Sequence, residues 1–287
     1  MERDRQLAWI TGARGLIGSY FLQTAKEFAP EWLPRALTRG ELELTDFHAV
    51  RRIFAQEKPQ LVIHCAALTK TPACQANPAL ARQINIEATQ ALAELSAEIP
   101  FVFFSTDLVF DGSKGNYTET EPVNPRSVYA ETKASAEQIV LRNPRHTVIR
   151  TSLNFGKSPT GDRSFGEELR SACQHGQKLR LFIDEFRCPI PASVTAEAVW
   201  TLLQQSRPGL YHLAGSERLS RWAIGQLCAG LWPELNPQLE PASLREYDGA
   251  PRSPDTSLNC EKLQRLLPFR LPAFSEWLAA HPGEISE

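Results

Sequence analysis

Leu7 to Tyr20 reads LAWITGARGLIGSY. The stretch begins with a four-residue apolar run, LAWI, which ends at Thr11-Gly12 and is followed by a helical pattern. Such a run is typical of a buried parallel strand. Gly12, Gly15 and Gly18 have the spacing G-x-x-G-x-x-G, which allows a tight turn, close approach of a phosphate and close packing of helix on sheet. The helix start would direct backbone N–H groups at the pyrophosphate of a dinucleotide. A glycine-rich turn without a ligand is the alternative, and the βαβ pattern that follows favours dinucleotide binding.

Length, charge and cysteine usage narrow the class of protein. The 287 residues carry a formal net charge of −2, which gives no bulk electrostatic reason to expect a nucleic acid or an anionic membrane as partner. No apolar run approaches the ~20 residues of a membrane span, and charged residues rather than a signal segment follow Met1. The six cysteines are scattered and contain no C-x-x-C pair, so we predict small buried thiols, no metal site and a cytoplasmic location.

Alternating apolar runs and helical patterns extend through the first half of the chain and predict an α/β fold. We expect a Rossmann-type, doubly wound parallel sheet in a dinucleotide-binding domain at 1–152, with a returning segment near 190–214. Residues 153–287 are predicted to form a smaller, interleaved substrate domain. Among the expected elements are a second strand at 35–38, one long helix at 78–98 and a helix at 128–142.

Two arginines bear on the choice of cofactor. An acidic residue at the end of the second strand is typical of NAD(H) binding, whereas a nearby arginine accommodates the 2′-phosphate of NADP(H). Here the predicted strand ends in Thr38 and Arg39, and Arg14 lies inside the glycine loop. We therefore expect NADP(H) to be preferred, with NAD(H) as the alternative if both arginines are solvated surface residues.

A tyrosine and a lysine lie four residues apart in the predicted helix at 128–142. Tyr129 and Lys133 therefore project from one face, where the ammonium would lower the pKa of the phenol from ~10 toward neutrality. The spacing alone also fits an ordinary helix surface. Thr106-Asp107 follows the predicted strand 101–105 and lies at the strand ends, where ligands bind in such sheets. This position favours a reactive pair.

The third predicted strand, 61–65, supplies a further part of the ligand edge. Ala66 and Ala67 follow it, and their small side chains would let the backbone approach a ribose. His64 lies within the apolar run itself. We expect it to be a hydrogen-bonded core residue rather than a catalyst.

With these motifs the chain resembles the extended short-chain dehydrogenase/reductases, and within them the dTDP-4-dehydrorhamnose reductase group with the related beta subunit of methionine adenosyltransferase. TGARGLIGSY is similar to the glycine loop, HCAA to the turn after the third strand, and STDLVFDG (105–112) to the S-T-D-x-V-F-D-G signature. YAETKASAE places Tyr129, Lys133 and Glu137 on Y-G-x-S-K-x-x-G-E. The likeness spans nearly the whole chain.

The resemblance implies a role for each matching residue. Tyr129 would protonate a carbonyl oxygen, Thr106 would orient that carbonyl, and Lys133 would hold the nicotinamide ribose and lower the pKa of the tyrosine. The expected cofactor contacts are Gly12, Arg14, Gly15, Leu16, Ile17, Gly18, Arg39, Ala66, Ala67, Tyr129 and Lys133. The expected substrate contacts are Asp107, Asn154 and Arg187.

Two segments depart from the reductase pattern on the substrate side. T-x-V-D-x-A-E is replaced by TKTPACQ (69–75), and D-Q-x-G-x-P-T by DEFRCPI (184–190). Arg187 thus replaces a glycine, and it would either meet a diphosphate or be a solvated surface residue. Leu108 follows Asp107 where related dehydratases have Glu, which argues against dehydration.

These motifs lead to three hypotheses about function. The first is an NADPH-dependent reductase of a nucleotide-linked keto sugar. The alternatives are an NADP-binding regulatory subunit without turnover and a nucleotide-sugar epimerase. The sequence does not fix the oligomeric state, and a homodimer is compatible with it.

Overall fold

A computed structural model describes residues 5–286. A six-stranded parallel sheet forms the centre of the molecule, and three two-stranded pairs lie outside it. The strands in chain order are β1 (Gln6–Thr11), β2 (Trp32–Leu37), β3 (Leu61–His64), β4 (Phe101–Thr106), β5 (His146–Thr151), β6 (Asn154–Phe155), β7 (Lys178–Phe182), β8 (Phe186–Arg187), β9 (Ile190–Pro191), β10 (Gly209–Leu213), β11 (Leu219–Ser220) and β12 (Gln238–Ala242).

Helices cover both faces of the central sheet. In chain order they are α1 (Leu16–Phe28), α2 (Phe47–Glu57), α3 (Thr71–Ala76), α4 (Pro78–Arg82), α5 (Ala88–Leu95), α6 (Val128–Val140), α7 (Phe165–Gln174), α8 (Ala192–Gln204), α9 (Arg221–Ala229), α10 (Glu261–Gln264), α11 (Phe274–Ala280) and α12 (Gly283–Ser286). A π-helical turn, Gln83–Glu87, joins α4 to α5. Within residues 5–286, no helix has the length and apolar character needed to cross a membrane.

The central sheet has the order β10-β5-β4-β3-β1-β2, with all neighbours parallel. Its chain reversal lies between β1 and β3, so the carboxyl ends of β1, β3 and β4 meet at one edge. The predicted Rossmann-type α/β fold is confirmed. β10, from the segment expected to return near 190–214, extends the sheet beside β5. The domain boundaries themselves stay predictions.

Apolar side chains fill the space on both sides of the sheet because every strand of a parallel sheet is covered by helices. On one side Phe21 of α1 packs edge-on against Phe104 of β4 and Trp200 of α8. On the other, Trp9 of β1 packs against Phe54 of α2. All six residues of β4 are buried, as the continuous run FVFFST predicts.

Two predicted boundaries were wrong, for local physical reasons. β2 begins at Trp32 and contains Pro34. Proline has no backbone N–H, and an edge strand tolerates this because N–H groups on its open side have no neighbouring strand to bond. The helix predicted at 78–98 is divided into α4, the π-helical turn and α5, and it ends at Leu95 with Ser96 as its C-terminal cap. A π-helical turn has one residue more than an α-helical turn, and the spacing of apolar residues in the sequence does not show where that residue is inserted.

Candidate active site

The glycine turn joins β1 to α1 at the carboxyl edge of the sheet. Gly12 has φ +64°, and a Cβ there would lie 2.7 Å from the backbone nitrogen of Ala66. Gly15 occupies the N-cap of α1, where no side chain satisfies the first N–H groups of the helix. A side chain at Gly18 would overlap the carbonyl of Gly12. The turn thus presents bare backbone and a helix start, which fits a phosphate group.

The turn after β3 lies against the glycine turn. The Ala66 backbone N–H donates to Thr11 Oγ1 at 3.3 Å, and Thr11 Oγ1 also lies 2.7 Å from His64 Nδ1. His64 Nε2 lies 3.1 Å from Thr89 Oγ1 of α5. Burial, with a contribution from Lys133, lowers the pKa of His64 to about 3. The prediction of a satisfied core histidine is confirmed.

Both arginines proposed to select the cofactor are exposed near the glycine turn. The Ala13 N–H donates to Leu37 O at 3.4 Å, so the end of β2 lies next to this turn. Arg39 follows β2, and its Nε pairs with Glu43 Oε2 at 2.9 Å. Arg14 forms no ion pair with any of residues 5–286. The contacts of Arg14 and Arg39 with a cofactor stay predictions.

Thr106 and Asp107 lie at the carboxyl end of β4, both buried. Thr106 Oγ1 accepts from the Leu108 N–H at 3.2 Å and donates to Asp107 Oδ1 at 3.2 Å. Ser152 Oγ, just after β5, donates to Asp107 Oδ2 at 2.8 Å. Adjacent parallel strands thus bring these side chains to one place, as the strand-end argument predicts.

Tyr129 lies in the first turn of α6, which Ser127 caps by accepting from the Ala130 N–H. The Thr106 side chain lies beside the Tyr129 phenol, and Lys133 follows one helical turn later with its Nζ 4.0 Å from the centre of the Phe103 ring. The three predicted catalytic side chains therefore meet between β4 and α6.

The expected depression of the tyrosine pKa by Lys133 was wrong for the structure as it stands. Burial raises the pKa of Tyr129 well above its usual range, and the neighbouring Thr106 hydroxyl offsets this only in part. Burial also lowers the pKa of Lys133 to about 7, against the opposing effect of Glu137. Desolvation dominates both groups because each charged form loses more hydration than its neighbours replace.

Asn85 belongs to this site, although the sequence reasoning missed it. Its Oδ1 accepts from the Leu68 N–H at 2.8 Å, and its Nδ2 donates to Leu68 O at 3.0 Å and Thr132 Oγ1 at 3.0 Å. It lies in the π-helical turn and is buried. Asn85 therefore ties the loop after β3 to the turn of α6 that holds Tyr129 and Lys133. An asparagine inside an otherwise apolar helical pattern was the available signal.

Arg187 is not a solvated surface residue, so that alternative is corrected. Its side chain is 4% exposed and pairs with Asp107 at 3.5 Å and with Glu185 at 2.9 Å. Glu185 also receives Arg221 at 3.3 Å and Arg252 at 2.6 Å. Burial alone would raise the pKa of Glu185, but the three guanidiniums outweigh it and lower that pKa to about 2.

Asn154 lies in β6 with its amide already partnered inside the protein. Its Nδ2 donates to Thr151 Oγ1 at 2.9 Å and to Ser152 O at 3.1 Å, and its Oδ1 accepts from Thr195 Oγ1 of α8 at 2.7 Å. The proposed contact of Asn154 with a substrate stays a prediction. In this structure Asn154 links β6 to α8.

Comparison with known proteins adds a family and three relatives. The sequence model of the family described as "RmlD substrate binding domain" matches residues 7–284. The chain is 28% identical to dTDP-4-dehydrorhamnose reductase of Sinorhizobium fredii over 93% of each chain. It is 29% identical to methionine adenosyltransferase 2 subunit beta of Xenopus laevis, over 92% of this chain and 85% of that one.

One solved structure illustrates the agreement in fold. A crystal structure of dTDP-4-dehydrorhamnose reductase from Bacillus anthracis in complex with NADP aligns with a TM-score of 0.85 and 23% identity. The alignment covers 96% of this chain and 98% of the other.

Proposed function

The chain belongs to the RmlD substrate binding domain family, and from this membership we propose that it is an NADPH-dependent reductase of a nucleotide-linked keto sugar, similar to dTDP-4-dehydrorhamnose reductase. The observation that carries the proposal is the meeting of Thr106, Tyr129 and Lys133 at the carboxyl end of β4, beside a bare glycine turn.

NADP(H) fits the residues at the glycine turn. Gly12, Gly15 and Gly18 leave backbone exposed for the pyrophosphate, with Leu16 and Ile17 in the first turn of α1. Arg14 and Arg39 offer cations for a 2′-phosphate. The structural relative from Bacillus anthracis was solved with NADP, which supports the same choice here. When bound, the cofactor supplies the hydride that reduces the carbonyl carbon.

The chain's own side chains supply the proton and the orientation. The Thr106 hydroxyl, which donates to Asp107 Oδ1 in this structure, would turn to donate to the carbonyl oxygen and hold it beside Tyr129. Because burial keeps Tyr129 protonated, its phenol is available to give that oxygen a proton as negative charge develops on it. Lys133, protonated, stabilises the phenolate that remains. Leu108 takes the position of the dehydratase glutamate, which supports reduction rather than dehydration.

The first prediction tests this assignment by replacing Tyr129. We expect Tyr129→Phe to lower turnover at least about 100-fold, because the proton donor is lost while the ring packing is kept. NADPH affinity should change little. The measurement is the fall in NADPH absorbance with dTDP-4-keto-6-deoxyhexose, together with a fluorescence titration of NADPH.

Tyr211→Phe is the matched control, because Tyr211 is also buried but lies in the edge strand β10. It should retain wild-type turnover. Unchanged turnover in Tyr129→Phe would remove Tyr129 from the role of acid. No NADPH consumption by wild type, with binding intact, would contradict the proposed substrate class.

A second candidate is an NADP-binding regulatory subunit, favoured by the 29% identity to methionine adenosyltransferase 2 subunit beta over most of both chains. A stoichiometric partner in pull-down, with no keto sugar consumed by chain or complex, would favour this function. Turnover by the isolated chain would favour the reductase. Measuring the size of the same sample tests whether the chain forms a homodimer. The six cysteines form no disulfide, which fits the expected cytoplasmic location.

A further inference from the structure

Arg187 lies in a buried row of charges that ends beside the proposed reaction centre. Its Nε faces Asp107 Oδ2 at 3.5 Å, and its Nη2 donates to Glu185 Oε1 at 2.9 Å. Its Nη1 donates to two backbone carbonyls, Phe186 O at 2.9 Å and Ser253 O at 3.2 Å. Four of the five N–H groups of Arg187 therefore already face acceptors inside the protein.

Asp107 connects this row to the catalytic side chains. Its Oδ1 accepts from Thr106 Oγ1 at 3.2 Å, and its Oδ2 accepts from Ser152 Oγ at 2.8 Å and Thr256 Oγ1 at 2.9 Å. Three hydroxyls and one guanidinium thus fix a buried carboxylate next to Tyr129. The negative charge of Asp107 also opposes ionisation of the Tyr129 phenol.

This arrangement creates an electrostatic conflict that Arg187 relieves. A phenol that gives up its proton becomes negative, and a neighbouring carboxylate opposes that change in proportion to its unneutralised charge. Cys74 adds a smaller effect of the same sign at Tyr129, and Lys133 lies one turn away on the same helix. Among these groups, Arg187 is the cation paired with Asp107.

Glu185 and Arg187 form a matched pair. Both positions depart from D-Q-x-G-x-P-T, in which Gln and Gly stand where this chain has Glu185 and Arg187. Glu185 is completely buried and accepts from Nη2 of the guanidinium, whereas Asp107 faces Nε. A buried arginine with only one carboxylate partner would carry a large desolvation cost, which the second carboxylate reduces.

We propose that Arg187 is a positioning residue for the reduction: anchored by Glu185, it neutralises Asp107 and so keeps Thr106 and Tyr129 competent to orient and protonate the carbonyl oxygen. The inference rests on the proposed function. It assigns Arg187 an internal role in place of the expected contact with a substrate diphosphate.

The test compares Arg187→Met, Arg187→Lys, Asp107→Asn and the double variant Asp107→Asn/Arg187→Met in the NADPH oxidation assay. We expect Arg187→Met to lower kcat about tenfold, which corresponds to roughly 1.4 kcal/mol at the transition state, with KM and NADPH affinity nearly unchanged. Arg187→Lys keeps the charge and should stay within about threefold of wild-type kcat. The double variant should recover the kcat of Asp107→Asn, since without the carboxylate charge there is nothing to neutralise.

Each alternative result has a distinct meaning. A raised KM with unchanged kcat in Arg187→Met would show a substrate ligand and overturn the proposal, as would an unchanged kcat and KM. If Arg187→Met does not fold, Arg187→Lys provides the test instead. The proposal is overturned if Arg187→Lys lowers kcat tenfold and adding Asp107→Asn to that variant does not restore kcat. Turnover by wild type separates these results from failure of the proposed function, because an inactive wild type overturns both.

Discussion

Lys133 is a residue whose burial serves the proposed chemistry at the expense of stability. Its side chain is nearly inaccessible, and burial lowers its pKa to about 7 from an ordinary value of 10.5. Phe103 provides a ring face for the ammonium, and Glu137 provides a negative charge one turn away, but neither replaces the lost hydration. Functional sites often retain such destabilising groups.

We therefore expect Lys133→Met to be more stable than wild type at pH 7, by a few kcal/mol, while losing turnover. The difference should depend on pH in a defined direction. Below pH 7 Lys133 is protonated in both the folded and the unfolded chain, so wild type carries the full cost of burial. Between pH 7 and about 10.5 only the unfolded chain keeps the proton, so the stability of wild type rises with pH and the difference narrows.

Urea unfolding at pH 6, 7, 8 and 9 measures this difference. Lys26→Met is the control, because Lys26 is exposed on α1 and should change stability by less than about 0.5 kcal/mol at every pH. A Lys133→Met variant less stable than wild type at pH 7 would show that the ammonium is better solvated than its burial indicates.

At the same scale, identities were easier to predict from the sequence than electrostatic states. Motif position identified Thr106, Tyr129 and Lys133, because parallel topology brings strand ends and the first turn of α6 together. The pKa values of Tyr129 and Lys133 depend on how much water surrounds each group, which spacing does not encode. The burial of Arg187 could not be predicted from the sequence either, because it depends on tertiary packing that brings the distant Asp107 next to Arg187 and Glu185.

Among the elements, the π-helical turn Gln83–Glu87 has the clearest consequence for the site. Asn85 lies within this turn, where it satisfies both backbone groups of Leu68 and donates to Thr132 of α6. π-helical turns are rare and are frequently found at functional sites. Here Asn85 of the turn links the loop after β3 to α6.

We expect Asn85→Ala to destabilise the protein by about 1–3 kcal/mol, because it removes three hydrogen bonds and leaves the part-buried Leu68 N–H without its partner. Turnover should fall as well, since the loop carrying Ala66 and Ala67 loses its tie to α6. Thermal unfolding and the NADPH oxidation assay measure the two effects. Gln90→Ala, which removes an exposed hydrogen bond to Glu94 in α5, should be nearly neutral in both. Equal stability of the two variants would contradict a structural role for Asn85.

For the whole molecule, the strands of the central sheet could be predicted and the two-residue strands outside it could not. Long apolar runs predict β1, β3, β4 and β5, and right-handed crossovers then restrict the strand order. β6, β8, β9 and β11 are two residues long, so they are defined by tertiary pairing rather than by a local pattern. These pairs belong to the second half of the chain, where the alternation of strands and helices loosens.

A buried chain of polar groups joins α6, through β5, to β10, the strand that returns from the second half of the chain. Glu137 of α6 accepts from Arg150 of β5 at 2.7 Å, with the Glu137 side chain 0% and the Arg150 side chain 4% exposed. Arg150 Nη1 lies 3.3 Å from His212 Nε2 in β10, and His212 Nδ1 lies 3.0 Å from Tyr117 O. Burial and the Arg150 charge lower the pKa of His212 to about 3, so neutral His212 accepts from Arg150 and donates to Tyr117.

Removing one partner of this ion pair should be far more costly than removing both. Glu137→Leu leaves the Arg150 guanidinium buried without its carboxylate, and we expect a loss of about 3–5 kcal/mol in the free energy of unfolding. Arg150→Met likewise leaves the buried Glu137 carboxylate without its guanidinium partner. The double variant replaces the pair by apolar side chains and should lose less than either single variant, because neither member of the ion pair is left without the other. Urea unfolding of wild type, the two single variants and the double variant measures the coupling energy between Glu137 and Arg150. Arg145→Met is the control: it breaks the exposed pair with Glu98 and should lower the free energy of unfolding by less than about 1 kcal/mol. Additive losses would show that Glu137 and Arg150 are solvated independently, and the link between α6 and β10 would then depend on apolar packing alone.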